Sequence, residues 1–223
     1  SVKISGTVTL TDGRKIFQKD LSVTKETAKL NALLDNLKIS SEDITNMGTL
    51  QLKGGVEATP SNLANNIVDN NEVKTGKLEF VSGYFTNTEN KTIRQNELLV
   101  DADANVTTGI ATIKLTADTI QNKGILNLTG EGDLQYKVND TTGKLIITEE
   151  ANITSLQTIT NQVEVLENGT LTATTKNMAI NNTIVNAGTV NITANNVGGT
   201  ITNTGILNLG EGNLINEIKD DAD

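Results

Sequence analysis

One nine-residue pattern returns four times along the chain and constrains the fold more than any other feature. The segments ITNMGTLQL (44–52), IQNKGILNL (120–128), IVNAGTVNI (184–192) and ITNTGILNL (201–209) all read I-x-N-x-G-x-[LV]-[NQ]-[LI]. The Asn-x-Gly centre is typical of a turn, and the alternation of apolar and polar residues after the glycine is typical of a β-strand with one buried face. Each copy therefore predicts a turn followed by a strand.

A looser form of the pattern, Gly-x-apolar-x-apolar, begins at five further glycines: Gly6, Gly76, Gly109, Gly143 and Gly169. In the second half of the chain, from Gly109 to Gly205, consecutive units lie 15, 19, 26, 19 and 17 residues apart, an irregular period near 20. The last two full copies begin 17 residues apart. One unit cannot bury its apolar face alone, but stacked units pair their strands at about 4.8 Å and share a core. We therefore predict a β-solenoid of roughly 9 to 11 coils.

In the four full copies, the turn residues are expected to shape the corners of the coils, because Asn and Gly tolerate left-handed backbone conformations. These repeat positions are Ile44, Asn46, Gly48, Ile120, Asn122, Gly124, Ile184, Asn186, Gly188, Ile201, Asn203 and Gly205. The Asn side chains are also free to align into hydrogen-bonded ladders from coil to coil.

The composition excludes several classes of site. The chain contains no Cys and no His, which excludes disulfide frameworks, thiolate nucleophiles, His-containing triads, zinc sites and haem sites. The net charge of −9 is opposite in sign to that of a protein that neutralises phosphates, so we expect no nucleic-acid partner. No run of about 18 or more apolar residues occurs, so we expect no direct membrane insertion. Aromatic residues make up only 2%, which favours a thin core of aliphatic side chains.

The repeated N-x-G-x-L-x-L units, the Thr- and Asn-rich composition and the scarcity of Cys, His and aromatic residues resemble bacterial surface β-solenoids. These are the autotransporter passenger domains and the filamentous-haemagglutinin-type adhesins. The resemblance covers residues 44–218. It implies an all-β fold, namely a right-handed parallel β-helix, a cell-surface or secreted location in bacteria, and a structural or adhesive role. It implies no catalytic residue.

Residues 1–43 depart from the repeat. Within residues 22–38, four leucines follow helical spacing: Leu30, Leu33, Leu34 and Leu37. This spacing predicts an amphipathic helix, and Asp12-Gly13 predicts a hairpin between two strand-like runs. We expect this hairpin-helix element to form a cap or an insertion, followed by solenoid coils at 44–218 and an acidic tail or linker at 219–223. Together these segments are expected to form one continuous domain cut from a longer protein.

The segment DADAN carries the best metal-like signal in the sequence. Asp101, Asp103 and Asn105 match ligand positions 1, 3 and 5 of a calcium loop. Position 6 is Val106 instead of Gly and position 12 is Thr112 instead of Glu, which excludes a helical calcium hand. A calcium site of another geometry at this turn stays open beside a plain acidic turn, and no other cofactor is expected.

Two related segments offer carboxylates of the kind that glycoside hydrolysis requires. Glu131 and Asp133 lie in GEGDL, and Glu211 lies in GEGNL. Both segments follow a repeat strand directly, where Gly-Glu-Gly is typical of a coil corner. The chain has only two Arg and almost no rings to line a sugar groove, so we expect no enzymatic activity.

Most aromatic residues lie in the first half of the chain, and Tyr84 and Phe85 are neighbours in GYFTN. We expect these rings to pack inside the protein rather than to form a recognition surface.

The sequence therefore predicts a non-enzymatic structural or adhesive module that acts as an elongated scaffold for attachment or self-association. The expected partner is a host surface protein, a glycan or a second copy of the chain. Two alternatives stay open: a carbohydrate-active or carbohydrate-binding β-helix, and a segment of a trimeric spike or adhesin.

Overall fold

The computed structural model describes the chain except at residues 12, 71–73, 154–157, 174–178, 181, 193–195, 198, 211–216 and 220–223. The described residues are all-β and form the parallel stacked coils of a β-solenoid of about nine turns, which confirms the predicted architecture. The chain divides into two compact units. The first unit contains residues 1–108 and 112–117, and the second contains residues 109–111 and 118–223.

The first unit has three parallel sheets, of which the first two run through its successive coils. Sheet 1 contains Val2–Ile4, Leu21–Val23, Asp43–Asn46, Asn66–Val68, Ile93–Gln95 and Ile113–Leu115. Sheet 2 contains Thr7–Thr9, Lys29–Leu33, Thr49–Lys53, Lys77–Thr86 and Glu97–Gly109, and Ser61–Asn62 pairs with the end of Lys77–Thr86. Sheet 3 contains only Ile16–Gln18 and Leu37–Ile39. Short 3-10 turns lie at Leu34–Asn36 and Ile110–Thr112.

The second unit also has three parallel sheets. Sheet 4 contains Thr119–Asn122, Lys137–Asn139, Thr158–Ile159, Ala179–Ile180 and Asn196–Val197. Sheet 5 contains Ile125–Thr129, Lys144–Ile147, Gln162–Val165, Ile184–Asn186, Thr200–Asn203 and Glu217–Lys219. Sheet 6 contains Gly132–Asp133, Glu150–Ile153, Thr170–Ala173, Thr189–Ile192 and Ile206–Leu209.

Columns of aliphatic side chains fill the inside of each unit. In the first unit, strand pairing aligns Leu30, Leu50, Leu78 and Leu98, all buried. In the second unit, it aligns Leu126, Leu145, Val163, Ile184 and Ile201, all buried. Because parallel strands repeat at about 4.8 Å, each inward side chain contacts the equivalent one in the coils above and below. The aliphatic core expected from the composition is confirmed.

The prediction of an amphipathic helix within residues 22–38 is wrong. The segment forms the strands Leu21–Val23, Lys29–Leu33 and Leu37–Ile39, with a 3-10 turn at Leu34–Asn36. Leu30, Leu34 and Leu37 are buried while Leu33 is half-buried. The observed strand–turn–strand therefore gives the leucines the same spacing as a helix would. In each strand, alternate residues face the core, and the tight turn shifts this alternation by one residue.

The expected N-terminal hairpin is not formed by the strands on either side of Asp12-Gly13. Thr7–Thr9 pairs with Lys29–Leu33, and Ile16–Gln18 pairs with Leu37–Ile39, both in parallel. Asp12 itself and the tail residues 220–223 lie outside the described residues. Coil stacking starts at Val2–Ile4, so the first 43 residues belong to the solenoid rather than to a separate element.

Two of the aromatic rings of the first unit pack against each other in the core. Phe80 and Phe85 are fully buried, with ring centroids 4.6 Å apart in an edge-to-face arrangement. Tyr84 lies between them in sequence and is half-buried. Packing explains Phe80 and Phe85 as expected, whereas the expectation is wrong for Phe17, whose side chain is 66% exposed.

Candidate functional site

The repeat positions lie at corners where the chain passes from one sheet to the next. The copy at 44–52 links sheet 1 to sheet 2, the copy at 120–128 links sheet 4 to sheet 5, and the last two copies link sheet 5 to sheet 6. The Ile positions and most of the Asn positions face the core: Ile44, Ile120, Ile184, Ile201, Asn46, Asn122 and Asn186 are buried, and Asn203 is half-buried. The repeat therefore builds the corners and offers little surface to a ligand.

Buried amide side chains hold the corner of the first unit together. Asn46 Nδ2 donates to Gln95 Oε1 at 2.6 Å and to the Lys77 carbonyl at 3.0 Å. The coil that lies between those of Asn46 and Gln95 passes their side chains at Gly76. A Cβ at Gly76 would overlap the backbone carbonyl oxygen of Asn46 and lie 2.5 Å from Gln95 Oε1. Glycine is required at this position because only hydrogen fits between the two amides.

The second unit repeats this arrangement with different residues. Asn122 Nδ2 donates to Asn161 Oδ1 at 2.6 Å and to the Lys144 carbonyl at 2.9 Å. Gly143 occupies the intervening coil, where a Cβ would overlap the Asn122 carbonyl oxygen and lie 2.8 Å from Asn161 Nδ2. A related pair joins Asn186 Nδ2 to Asn203 Oδ1 at 2.7 Å. The Asn side chains of the repeat therefore form hydrogen bonds between coils, as predicted, and these bonds lie inside the corners.

Gln95 and Asn161, the acceptors in two of these amide pairs, are absent from the predicted set. A signal for them exists in the sequence, because residues 75–78 and residues 142–145 both read TGKL. Each TGKL lies in the coil after a full copy of the repeat and supplies the glycine over which the amides meet. The acceptor then follows in the next coil.

The expected reason for the repeat glycines is wrong for Gly48, Gly188 and Gly205. None of them has a positive φ angle. A Cβ at Gly48 would overlap the carbonyl oxygen of Ala28, and Cβ atoms at Gly188 and Gly205 would overlap carbonyl oxygens of the coils beneath them. These glycines allow coils to approach each other closely rather than allowing a left-handed turn.

The candidate calcium ligands lie in a strand, so the predicted turn at this position is wrong. Asp101, Asp103 and Asn105 belong to Glu97–Gly109, whose pairing with Lys77–Thr86 shifts register between Phe80 and Ser82. Among the described residues, no group of three or more Asp or Glu is placed to hold a metal. Calcium binding stays a prediction without a coordinating arrangement.

Two of the three candidate carboxylates lie on the surface of the second unit. Glu131 and Asp133 are exposed, Asp133 pairs with Asn152 on sheet 6, and Glu211 lies outside the described residues. In the same unit, the hydrogen bond from Lys137 lowers the pKa of Asp118, and the hydroxyl and backbone N–H of Thr142 lower the pKa of Asp140. A general acid for sugar cleavage needs the opposite shift.

A cleft of about 310 Å³ opens in the first unit beside Leu37–Ile39. Its lining includes the buried apolar side chains Leu34, Leu37 and Ile39 and the polar side chains Asp35, Lys38 and Asn65. Asp35 and Lys38 are exposed, and Asp35 Oδ2 accepts a hydrogen bond from Ser61 Oγ at 2.9 Å. A concave surface that combines apolar walls with a few polar groups is typical of a binding site. No prediction from the sequence includes this cleft.

The side chain of Asn65 holds the coil above the cleft in place. Asn65 Nδ2 donates to the carbonyl oxygens of Ile39 at 3.1 Å and Ser41 at 2.7 Å. Among the described residues, no strand follows Leu37–Ile39 in sheet 3, so a side-chain amide takes the place of backbone hydrogen bonds there. A ligand in the cleft can therefore form hydrogen bonds through polar backbone groups of its own while its apolar groups contact the apolar wall.

No protein-family model matches the chain, and no curated protein or solved structure matches it. Among the described residues, no helix has the length and apolar character needed to cross a membrane.

Proposed function

We propose that this chain is a non-enzymatic structural or adhesive module of a bacterial cell-surface or secreted protein, and that its coils wind in a right-handed sense. Connections between parallel strands of one sheet are right-handed in nearly all proteins, which supports the handedness. Cell-surface attachment follows from the resemblance of the repeat to bacterial surface β-solenoids. Attachment through many weak contacts needs a regular surface rather than a reactive centre.

The observation that carries the proposal is a regular polar ladder on the outer face of sheet 6. Strand pairing aligns Asn152, Thr172, Asn191 and Asn208 in one column. Asn208 Nδ2 donates to Asn191 Oδ1 at 2.7 Å, and Asn191 Nδ2 donates to Thr172 Oγ1 at 3.1 Å. Because these hydrogen bonds fix the side chains, the same amide and hydroxyl groups recur at about 4.8 Å intervals. Asp133 continues the column next to Asn152, and the four amide and hydroxyl side chains beyond it suit repeated weak hydrogen bonds to a glycan or to another copy.

A surface-binding assay tests this proposal with three immobilised probes: mucin, deglycosylated mucin and the chain itself. We expect retention on at least one probe and a loss of retention in Asn191→Arg, which places a charged side chain in the ladder. Gln121→Arg, on an exposed position of sheet 4, is the matched control and should be retained like the parent. Retention on mucin alone identifies a glycan partner, and retention on the chain identifies self-association. Absence of retention on all three probes would overturn the proposal.

A further inference from the structure

Sheet 3 ends at an open strand edge beside the cleft. Sheets 1 and 2 continue through the later coils of the first unit, whereas sheet 3 has only Ile16–Gln18 and Leu37–Ile39. After Asn62 the next coil returns along the cleft, and among the described residues its hydrogen bonds to the edge come from the side chain of Asn65. The edge of Leu37–Ile39 that faces the cleft therefore has no neighbouring strand in the described part of the chain.

The pairing register shows which backbone groups face the cleft. Gln18 pairs with Ile39, and the Ser40 N–H donates to the Gln18 carbonyl at 3.0 Å. In a parallel pair, this bond directs the N–H and C=O of Lys38 toward Ile16–Gln18 and those of Leu37 and Ile39 away from it. The Ile39 carbonyl accepts from Asn65, and the Leu37 N–H donates to Leu34 within the 3-10 turn. The Leu37 C=O and the Ile39 N–H remain directed toward the cleft.

We propose that this cleft binds one extended peptide segment of a partner protein, which adds a parallel third strand to sheet 3 next to Leu37–Ile39. A peptide residue opposite Lys38 donates its N–H to the Leu37 C=O and accepts from the Ile39 N–H, as the geometry of a parallel ladder requires. This inference goes beyond attachment through the outer face of sheet 6, since it concerns a different surface and a defined class of partner.

Charge complementarity identifies the chemistry of that segment. Lys38 is exposed on the outer side of its strand, and the peptide residue opposite points the same way. Elsewhere in the chain, Lys77 lies directly opposite Glu97, with its Nζ 3.8 Å from the Glu97 carboxylate. Lys144 lies opposite Gln162, and its Nζ reaches the carboxylate of Glu164, two residues further along the neighbouring strand, at 2.9 Å. The segment is therefore expected to alternate apolar, acidic and apolar residues. A sugar is a poorer fit because no aromatic ring lines the cleft.

The probe is the capped peptide Ac-QVEVL-NH2, which copies residues 162–166 and carries the expected apolar–acidic–apolar order. Titration into the isotope-labelled full chain should shift the backbone NMR signals of Lys38 and Ile39. Methylation of the glutamate backbone nitrogen in the peptide removes the donor to the Leu37 C=O and should weaken binding about tenfold. Methylation of the next valine nitrogen, which points away from this edge, is the matched peptide control and should weaken binding less.

A charge exchange tests the register on the protein side. Lys38→Glu should weaken binding of Ac-QVEVL-NH2 about two- to fivefold and strengthen binding of Ac-QVKVL-NH2, because the facing side chains are exposed. Lys114→Glu, at an exposed position of sheet 1, is the matched control and should change neither affinity. Lack of any shift at Lys38 and Ile39 with peptide at about 1 mM would overturn the proposal. Equal affinities for the peptide and its glutamate N-methyl form would overturn it as well.

Discussion

Asn46 and Gln95 are 49 residues apart in sequence, yet the amide nitrogen of Asn46 lies 2.6 Å from the amide oxygen of Gln95 inside the first unit. The two side chains meet over Gly76, and Asn122 and Asn161 meet over Gly143 in the same way in the second unit. A buried amide without a partner costs about 1–3 kcal/mol. Each of these two pairs therefore helps to align a coil with the next coil but one.

Replacement of Gly76 by alanine should destabilise the protein by about 1–3 kcal/mol. The added methyl group overlaps the Asn46 carbonyl oxygen and the side chain of Gln95, both buried. Urea unfolding followed by circular dichroism measures the loss. Gly6→Ala is the control, because a Cβ at Gly6 has no atom within 4 Å. Equal unfolding midpoints for the two variants would contradict the close approach at Gly76.

Removal of the Asn122 amide should cost about 2 kcal/mol, since Asn122→Ala leaves Asn161 Oδ1 and the Lys144 carbonyl without their donor. A double-mutant cycle with Asn161→Ala measures the coupling between the two amides by urea unfolding. We expect a coupling energy of about 1 kcal/mol, because the second substitution removes a group that the first has already left unpaired. Additive effects of the two substitutions would show that the amides act independently.

A charge placed in the aliphatic column should be much more damaging than the same charge on the surface. Leu126 is fully buried, so Leu126→Asp places an unpaired carboxylate in the core and should cost about 4 kcal/mol or more. Leu207 is half-buried, so Leu207→Asp should cost less. Gln121→Asp, on an exposed position nearby, is the control and should melt close to the parent. Thermal unfolding gives the order of the three variants.

The carboxyl pKa of Asp118 should depend on Lys137. The hydrogen bond from Lys137 Nζ at 2.8 Å, together with one from Thr119, lowers the pKa of Asp118 below its ordinary value of 3.8. Its folded-state pKa is therefore the lower one, so its contribution to stability is present above pH 3.8 and is lost as the pH falls through the folded pKa. In Lys137→Ala, a carboxyl-detected NMR titration should show the pKa of Asp118 rising toward 3.8.

Asp140 provides an internal reference in the same titration. The Thr142 hydroxyl and backbone N–H are the main causes of the lowered pKa of Asp140, so Lys137→Ala should leave the pKa of Asp140 low. An unchanged pKa of Asp118 in Lys137→Ala would show that the hydrogen bond from Lys137 does not lower this pKa.

The apolar period of the repeat was enough to predict the solenoid and the inward face of residues such as Leu126, because stacking is the only way for such short units to bury apolar side chains. The same kind of signal failed at Leu30, Leu33, Leu34 and Leu37. There a tight turn between two strands produces the spacing of a helix, and only the pairing of Lys29–Leu33 with Thr49–Lys53 distinguishes the two.

The sequence by itself determined that the chain forms aliphatic coils with Asn and Gly at their corners, since that information is local and repeats. Only the tertiary structure decided that Asn46 meets Gln95 across Gly76, and that Asn65 spans the cleft beside an open strand at Leu37–Ile39. These contacts join residues from different coils, and their partners depend on the exact length of each coil. Coil length varies along the chain, so the alignment is fixed only once the strands have paired.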